Sequence, residues 1–122
     1  MASFEIEGGY RLRGSITPQG AKNEALQVIC AVLLTSEKVV IENVPDIRDV
    51  NKLIELLQLL GVKVSCTYQD ADSRTFEFQA DEVSLAALES PDYSQQATAL
   101  RGSIMLLGPL LARFGYALVP QP

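Results

Sequence analysis

A lysine stands at the start of a predicted helix, in the run Gly20-Ala21-Lys22-Asn23. A turn signal, Pro18-Gln19-Gly20, comes just before it, and an apolar segment rich in good helix formers follows. A helix N-terminus already has partial positive charge, so an added ammonium group is poorly tolerated unless something negative lies nearby. The run therefore predicts an anion site formed by Lys22 and Asn23, with an ordinary exposed lysine at a helix start as the alternative.

Arg101 is the second candidate, because it lies inside a predicted helix of small and apolar residues. A cation in such a segment is costly unless it is paired. Two interpretations remain open, namely an ion pair with a local carboxylate such as Asp92 or a contact with a ligand. Gly102 and Ser103, which follow it, would let a ligand or another helix approach closely.

Composition excludes several other classes of function. The 122 residues have a net charge of −5, no histidine and no run of basic residues, which disfavours binding to nucleic acid or to a membrane surface. Without histidine, and with Cys30 and Cys66 far apart, we expect no metal and no cofactor. Both cysteines fall on apolar faces and are predicted to lie in the core, and their number favours a reduced, cytoplasmic protein.

Periodicity predicts a mixture of helices and strands. Asp46 is the expected N-cap of the second helix, with Asp49 also at its start, and Gly108-Pro109 is expected to break or kink the third. The predicted helices are more uniformly apolar than the strands, which favours buried helices and sheets with one face in water. The predicted strands cover residues 4–7, 10–16, 38–44, 62–68, 75–78 and 115–119, and the predicted helices cover residues 21–34, 47–60 and about 94–107.

Six blocks of this sequence, in the same order, resemble the N-terminal part of the UDP-N-acetylglucosamine 1-carboxyvinyltransferases of the enolpyruvyl transferase family. Together they extend over nearly the whole chain, which makes them far more specific than any single block. The blocks are Leu-Arg-Gly at 12–14, Gly-Ala-Lys-Asn-Glu-Ala-Leu at 20–26, Asn-Val-Pro-Asp-Ile-Arg-Asp-Val at 43–50, Leu-Leu-Gly-Val-Lys-Val at 59–64, Leu-Arg-Gly-Ser-Ile at 100–104 and Leu-Gly-Pro-Leu-Leu-Ala-Arg-Phe-Gly at 107–115.

The resemblance implies an α/β fold (α+β by some schemes). It would be an inside-out α/β barrel of repeated βαβαββ units with buried helices, present here only in part. Residues 1–20 would form strands that pack with the domain of the C-terminal half, and residues 21–122 would form an incomplete first domain. The chain stops directly after a predicted strand, so we expect a fragment that self-associates through the interface left uncovered.

The resemblance also implies a reaction. Such enzymes transfer the enolpyruvyl group of phosphoenolpyruvate to the 3-hydroxyl of UDP-N-acetylglucosamine through a tetrahedral ketal, the committed step toward peptidoglycan. Lys22 and Asn23 would contact phosphoenolpyruvate, and Arg101 would contact the nucleotide sugar. The acid of the mobile loop (Cys or Asp) would lie beyond Pro122, so no catalytic residue is expected within these 122 residues and the piece alone should be inactive.

Two alternative functions stay open from the sequence. One is the sister enzyme that acts on shikimate 3-phosphate, which usually has Gly-Ser-Lys-Ser around its lysine, so that Asn23 disfavours it. The other is a non-catalytic module on the same scaffold that binds an anion or a partner.

Overall fold

The computed structural model describes residues 2–121. The predicted segments 1–20 and 21–122 begin and end at Met1 and Pro122, which lie outside the described residues. One antiparallel sheet packs its buried face against a group of helices. The helices are α1 (Lys22–Cys30), α2 (Arg48–Leu59), α3 (Pro91–Ala99) and α4 (Leu107–Phe114), the strands are β1 (Lys38–Val44), β2 (Lys63–Gln69) and β3 (Arg74–Gln79), and 3₁₀ helices cover Ala31–Leu34, Leu85–Glu89 and Arg101–Leu106.

The sheet has the order β1-β3-β2, with β3 antiparallel to both neighbours. Side chains along β3 alternate, so that Phe76 and Phe78 are buried while Glu77 between them is only half-buried. On the opposite face Val40 of β1 and Tyr68 of β2 are more than half exposed. These three predicted strands are confirmed, as is the expectation of a sheet with one face in water.

The first helix is also confirmed, but its later part differs from the prediction. The α-helix ends at Cys30 and continues as the 3₁₀ helix Ala31–Leu34. Ile29 and Leu33 are fully buried, whereas 43% of Val28 and 51% of Leu34 are exposed. The expectation of a helix buried on all sides is therefore wrong here, because the described neighbours cover only one side of it.

The second helix, α2, has Val50, Leu53 and Leu57 in the core. It begins after Ile47 and not after Asp46, and no side chain caps its first N–H groups. Asp46 instead accepts a hydrogen bond of 2.8 Å from the side chain of Asn51, so its predicted role as N-cap is wrong. The helix ends at Leu59, close to the predicted limit at residue 60, and Gly61 after it has the positive φ of 102° that favours glycine.

The predicted third helix is divided into separate elements. α3 ends at Ala99, Leu100 is extended, and a 3₁₀ helix leads into α4. Pro109 lies in the first turn of α4, where no intrahelical partner for its nitrogen is required, so it helps to begin a helix and does not break one. The 3₁₀ helix Leu85–Glu89 precedes α3.

The predicted strands at residues 4–7, 10–16 and 115–119 are absent from the part of the chain that the structure describes. Residues 2–20 form neither helix nor strand, and Phe4 and Leu12 are 96% and 97% exposed. A strand requires a partner edge, and none of the described strands pairs with these segments. Their packing with a distant half of the protein stays a prediction. Within residues 2–121, no helix combines the length and apolar character needed to cross a bilayer.

Arg113 near the end of α4 joins three parts of the fold. Its Nη1 atom donates to the carbonyl oxygens of Leu33 and Thr35, both at 3.0 Å, and of Ala80 at 2.7 Å. The guanidinium group also lies 4.7 Å from the ring centroid of Phe114. The end of the first helical segment, the end of β3 and α4 are therefore held together by one side chain.

Replacing Arg113 with methionine should lower the free energy of unfolding by about 2–4 kcal/mol, because carbonyl groups lose a charged donor. Urea denaturation followed by circular dichroism measures this loss. Arg11→Met, at an exposed position outside the helices and strands, is the matched control and should change stability by less than about 0.5 kcal/mol. Equal stability of the Arg113 and Arg11 variants would contradict the assigned role.

Candidate anion site at the start of the first helix

The entry into α1 is fixed by a close contact at Gly20. A Cβ atom at this position would collide with the carbonyl oxygen of Asn43 and lie 3.1 Å from Cδ of Pro45. Asn43 itself has a φ of 57°, in the left-handed region that asparagine tolerates better than most residues. The chain can therefore pass this close to the end of β1 only with glycine at position 20.

The N-terminus of α1 has no side-chain cap. Ala21 is the N-cap residue, and its methyl group cannot accept a hydrogen bond from the first turn. Lys22 is the first helical residue and Asn23 the second, and both are exposed. The backbone N–H groups of the first turn and the Lys22 ammonium thus contribute positive potential to the same surface.

Asp49 provides negative charge beside this lysine. Nζ of Lys22 lies 2.9 Å from Oδ2 of Asp49, in the first turn of α2. The hydrogen bond from Lys22, followed by its charge, lowers the pKa of Asp49, and the nearby charges of Lys52 and Arg48 act in the same direction. The sequence placed Asp49 at a helix start, as observed, but gave no sign that its partner lies 27 positions earlier in the chain.

Arg101 differs from its prediction. It is exposed at the start of the 3₁₀ helix Arg101–Leu106, and its side chain forms no ion pair with Asp92 or with any other residue among 2–121. Its predicted position inside a continuous helix is wrong, because the chain leaves the α-helix one residue earlier, at the extended Leu100. The guanidinium is accordingly available to bind a ligand.

Lys22, Asn23 and Arg101 lie on elements that pack together. Lys22 and Asn23 share the first turn of α1, and Asn23 forms no side-chain hydrogen bond within the described part of the chain. A Cβ on Gly102 would lie 3.1 Å from Cδ1 of Leu26, which is one helical turn after Lys22 on the same face. The segment that begins at Arg101 therefore packs on α1 next to the turn that contains the lysine.

The two cysteines have different environments. Cys30 is buried, as predicted, and burial raises the pKa of its thiol to about 12, which leaves it unreactive at neutral pH. Cys66 is exposed, so its predicted core position is wrong. It lies opposite the buried Phe76, on the face of the sheet towards α2, but β2 is an outer strand and the helix does not cover this side chain. Across residues 2–121 no three Cys, Asp or Glu side chains are grouped so that they could hold a metal ion.

The adjoining cavity has an acidic lining. It has a volume of about 280 Å³ and lies between the first turns of α1 and the end of β1. Glu24 and Glu42 line it, and no cationic side chain does, so its charge disfavours phosphate. The anion interpretation consequently depends on Lys22 and the uncapped first turn. The lining residues are Gly20, Ala21, Glu24, Ala25, Val28, Ile41, Glu42, Asn43 and Val44.

The pairing of Lys22 with Asp49 predicts a particular pH dependence. Because the folded-state pKa of Asp49 is lowered, its stabilising contribution is present above the ordinary aspartate pKa and is lost as the pH falls through the lowered value. Lys22→Met should raise the Asp49 midpoint toward the ordinary aspartate pKa, as measured by ¹³C NMR of the carboxyl carbons. Asp81, whose pKa is lowered by Lys63, is the internal control and should not move. An unchanged Asp49 midpoint would contradict the pairing.

Comparison with known proteins agrees with the resemblance seen in the sequence. The family model described as EPSP synthase (3-phosphoshikimate 1-carboxyvinyltransferase) matches residues 6–120. Proteins named UDP-N-acetylglucosamine 1-carboxyvinyltransferase from Bacteroides thetaiotaomicron and Porphyromonas gingivalis are 55% and 54% identical over the whole chain. The chain spans 27% of the length of each of these relatives.

The fold agrees as well. The crystal structure of the enolpyruvyl transferase NikO from Streptomyces tendae matches 90% of this chain and 24% of its own, with a TM-score of 0.65 and 33% sequence identity. The predicted α/β fold, present in part, is confirmed by this likeness. Since the family model extends over nearly all of the sequence, the chain belongs to the EPSP synthase family, whose members include enolpyruvyl transferases.

Proposed function

We propose that the full-length protein transfers the enolpyruvyl group of phosphoenolpyruvate to the 3-hydroxyl of UDP-N-acetylglucosamine, the first committed step of peptidoglycan synthesis. Relatives named UDP-N-acetylglucosamine 1-carboxyvinyltransferase match the whole chain at 54–55% identity. The structural observation that supports the proposal is the position of Lys22, an exposed ammonium group at an uncapped helix N-terminus. Phosphoenolpyruvate has a phosphate and a carboxylate, and both groups favour such a position.

The proposed reaction is an addition followed by an elimination. The 3-hydroxyl loses its proton to a base as its oxygen bonds to C2 of phosphoenolpyruvate, while C3 gains a proton from an acid and becomes a methyl group. The tetrahedral ketal then loses phosphate from C2 and a proton from C3, which regenerates the double bond. A loop acid and a base beyond residue 122 would move these protons, so we propose that the 122-residue piece is inactive alone.

Lys22 can bind the substrate without giving up Asp49. An ammonium group has three N–H donors, and Asp49 accepts one of them. The remaining two can donate to phosphate or carboxylate oxygens, with the amide of Asn23 and the N–H groups of the first turn beside them. Fixed donors of this kind stabilise the charge that develops when the phosphate group leaves.

Arg101 is proposed to bind the nucleotide sugar. Its guanidinium is exposed, and it lies on a segment that packs against α1 through Gly102. A planar guanidinium can bind two oxygens of a diphosphate at once, and the absence of an ion pair among the described residues leaves its donors available.

The location and assembly of the protein are also proposals. Two free cysteines and a nucleotide-sugar substrate are consistent with the reducing cytoplasm. Exposed apolar side chains lie on helical elements that pack together, so we propose that the 122-residue chain taken alone self-associates through them. These side chains are Val28, Leu34, Ile104, Met105, Leu107 and Leu111.

Replacing Lys22 with alanine in the full-length protein should weaken phosphoenolpyruvate binding about ten-fold or more, because a charge-assisted hydrogen bond contributes about 1.5–3 kcal/mol. Isothermal titration calorimetry measures the affinity. Lys63→Ala is the matched control, since Lys63 is also an exposed lysine paired with an aspartate, 3.0 Å from Asp81. Equal affinity of the Lys22 variant and the parent would overturn the proposed role.

Arg101→Ala should weaken binding of UDP-N-acetylglucosamine by a similar factor and leave the affinity for free phosphoenolpyruvate nearly unchanged. Lys38→Ala, which removes an exposed cation from β1, is the control. Phosphate release should depend on UDP-N-acetylglucosamine and not on shikimate 3-phosphate. Release with shikimate 3-phosphate alone would assign the protein to the sister reaction, and no release with either acceptor would favour the binding module.

A further inference from the structure

Arg74 is a buried cation beside the start of α2, close to the candidate anion site. It begins β3, lies opposite Val44 of β1, and is only 9% exposed. Its Nη2 atom donates to the carbonyl oxygen of Pro45 at 2.8 Å and to Oδ1 of Asn51 at 2.7 Å. The guanidinium also lies 4.9 Å from the ring centroid of Phe76, which covers its apolar side.

Asn51 and Asp46 extend this network to the start of α2. Nδ2 of Asn51 donates to Oδ1 of Asp46 at 2.8 Å, and Nη1 of Arg74 lies 3.7 Å from the same oxygen. Arg74 and Asn51 therefore bind residues of the short connection between β1 and α2 from both sides. Because α2 has no side-chain cap, its first turn is held by these hydrogen bonds from Arg74 and Asn51.

Two residues that contact the anion site lie in, or directly after, the connection between β1 and α2 that Arg74 binds. Pro45, whose carbonyl accepts from Arg74, packs against Gly20 just before α1. Asp49, in the first turn of α2, accepts the hydrogen bond from Lys22. The network thus lies next to both groups that determine where the Lys22 ammonium is held.

The cost of burying Arg74 also requires an explanation. Its Nε is buried and has no hydrogen-bond partner among the described residues. A buried cation with an unsatisfied donor is a poor source of stability, and a well-packed apolar side chain often serves a strand at least as well. What the buried guanidinium does provide is a set of hydrogen bonds to the connection between β1 and α2 and to the first turn of α2.

We propose that Arg74 is a positioning residue of the anion site, which acts through Asn51 and the start of α2 to hold Asp49 against Lys22. The functional consequence of this arrangement rests on the proposed binding of phosphoenolpyruvate at Lys22. The arrangement itself can be tested without any ligand, so the two proposals can fail separately.

The test follows the carboxyl carbon of Asp49 by ¹³C NMR as the pH of the full-length protein is varied. Lys22, Arg48 and Lys52 are the charged groups that face Asp49. In Arg74→Met the Asp49 midpoint should rise toward the ordinary aspartate pKa, by at least half of the change that Lys22→Met produces. Asn51→Ala should produce a rise in the same direction. Because this substitution removes no charge, it separates lost positioning from a long-range electrostatic effect, and it keeps the test decisive should Arg74→Met not fold.

Two controls exclude general destabilisation. Arg113→Met removes the other arginine that binds backbone carbonyls, far from Asp49, and should leave its midpoint unchanged. The Asp81 midpoint, set by Lys63, should stay constant in every variant. An Asp49 midpoint unchanged in the Arg74 and Asn51 variants, or raised equally in Arg113→Met, would overturn the proposal.

A binding measurement then distinguishes this inference from the proposed function. Arg74→Met should weaken phosphoenolpyruvate binding several-fold and leave that of UDP-N-acetylglucosamine within two-fold of the parent (about 0.4 kcal/mol). A raised Asp49 midpoint with unchanged phosphoenolpyruvate affinity would support the positioning role of Arg74 and contradict the function proposed for Lys22.

Discussion

The ammonium group of Lys22 at a helix N-terminus is the interaction on which the rest of this region depends. Its positive charge has the same sign as the N-terminal end of the helix dipole, so the arrangement requires negative charge close by. In the folded chain Asp49 provides that charge from the first turn of α2. This pairing requires α1 and α2 to begin side by side, and the close approach of Gly20 to Asn43 and Pro45 makes that possible.

Two arginines hold the framework around this pair, and both do so by donating to backbone carbonyls. Arg74 binds the connection before α2, and Arg113 binds the end of the first helical segment and the end of β3. Neither was singled out in the sequence, because each looks like an ordinary charge one or two residues before a phenylalanine. Their partners are far away in the chain, up to 80 positions for Arg113, and only the fold brings them together.

Local patterns were sufficient for the elements that form their own contacts. The strand pair β2 and β3, the apolar face of α2 and the glycine that ends it could all be predicted, because their periodicity and turn residues are local. The N-terminal strands could not be confirmed, since a strand depends on a partner edge. Composition favours a continuous helix through Arg101, but a single extended residue, Leu100, ends that helix just before it. The position of Lys22 was predictable from a local charge argument, whereas the identity of its partner was not.

The central claim is that the start of α1 binds phosphoenolpyruvate through Lys22. A crystal structure of the full-length protein with phosphoenolpyruvate and UDP-N-acetylglucosamine tests it most directly. We expect Nζ of Lys22 within about 2.7–3.2 Å of a phosphate or carboxylate oxygen, with its contact to Asp49 retained. Phosphoenolpyruvate bound elsewhere, with the Lys22 ammonium directed into bulk water, would contradict it.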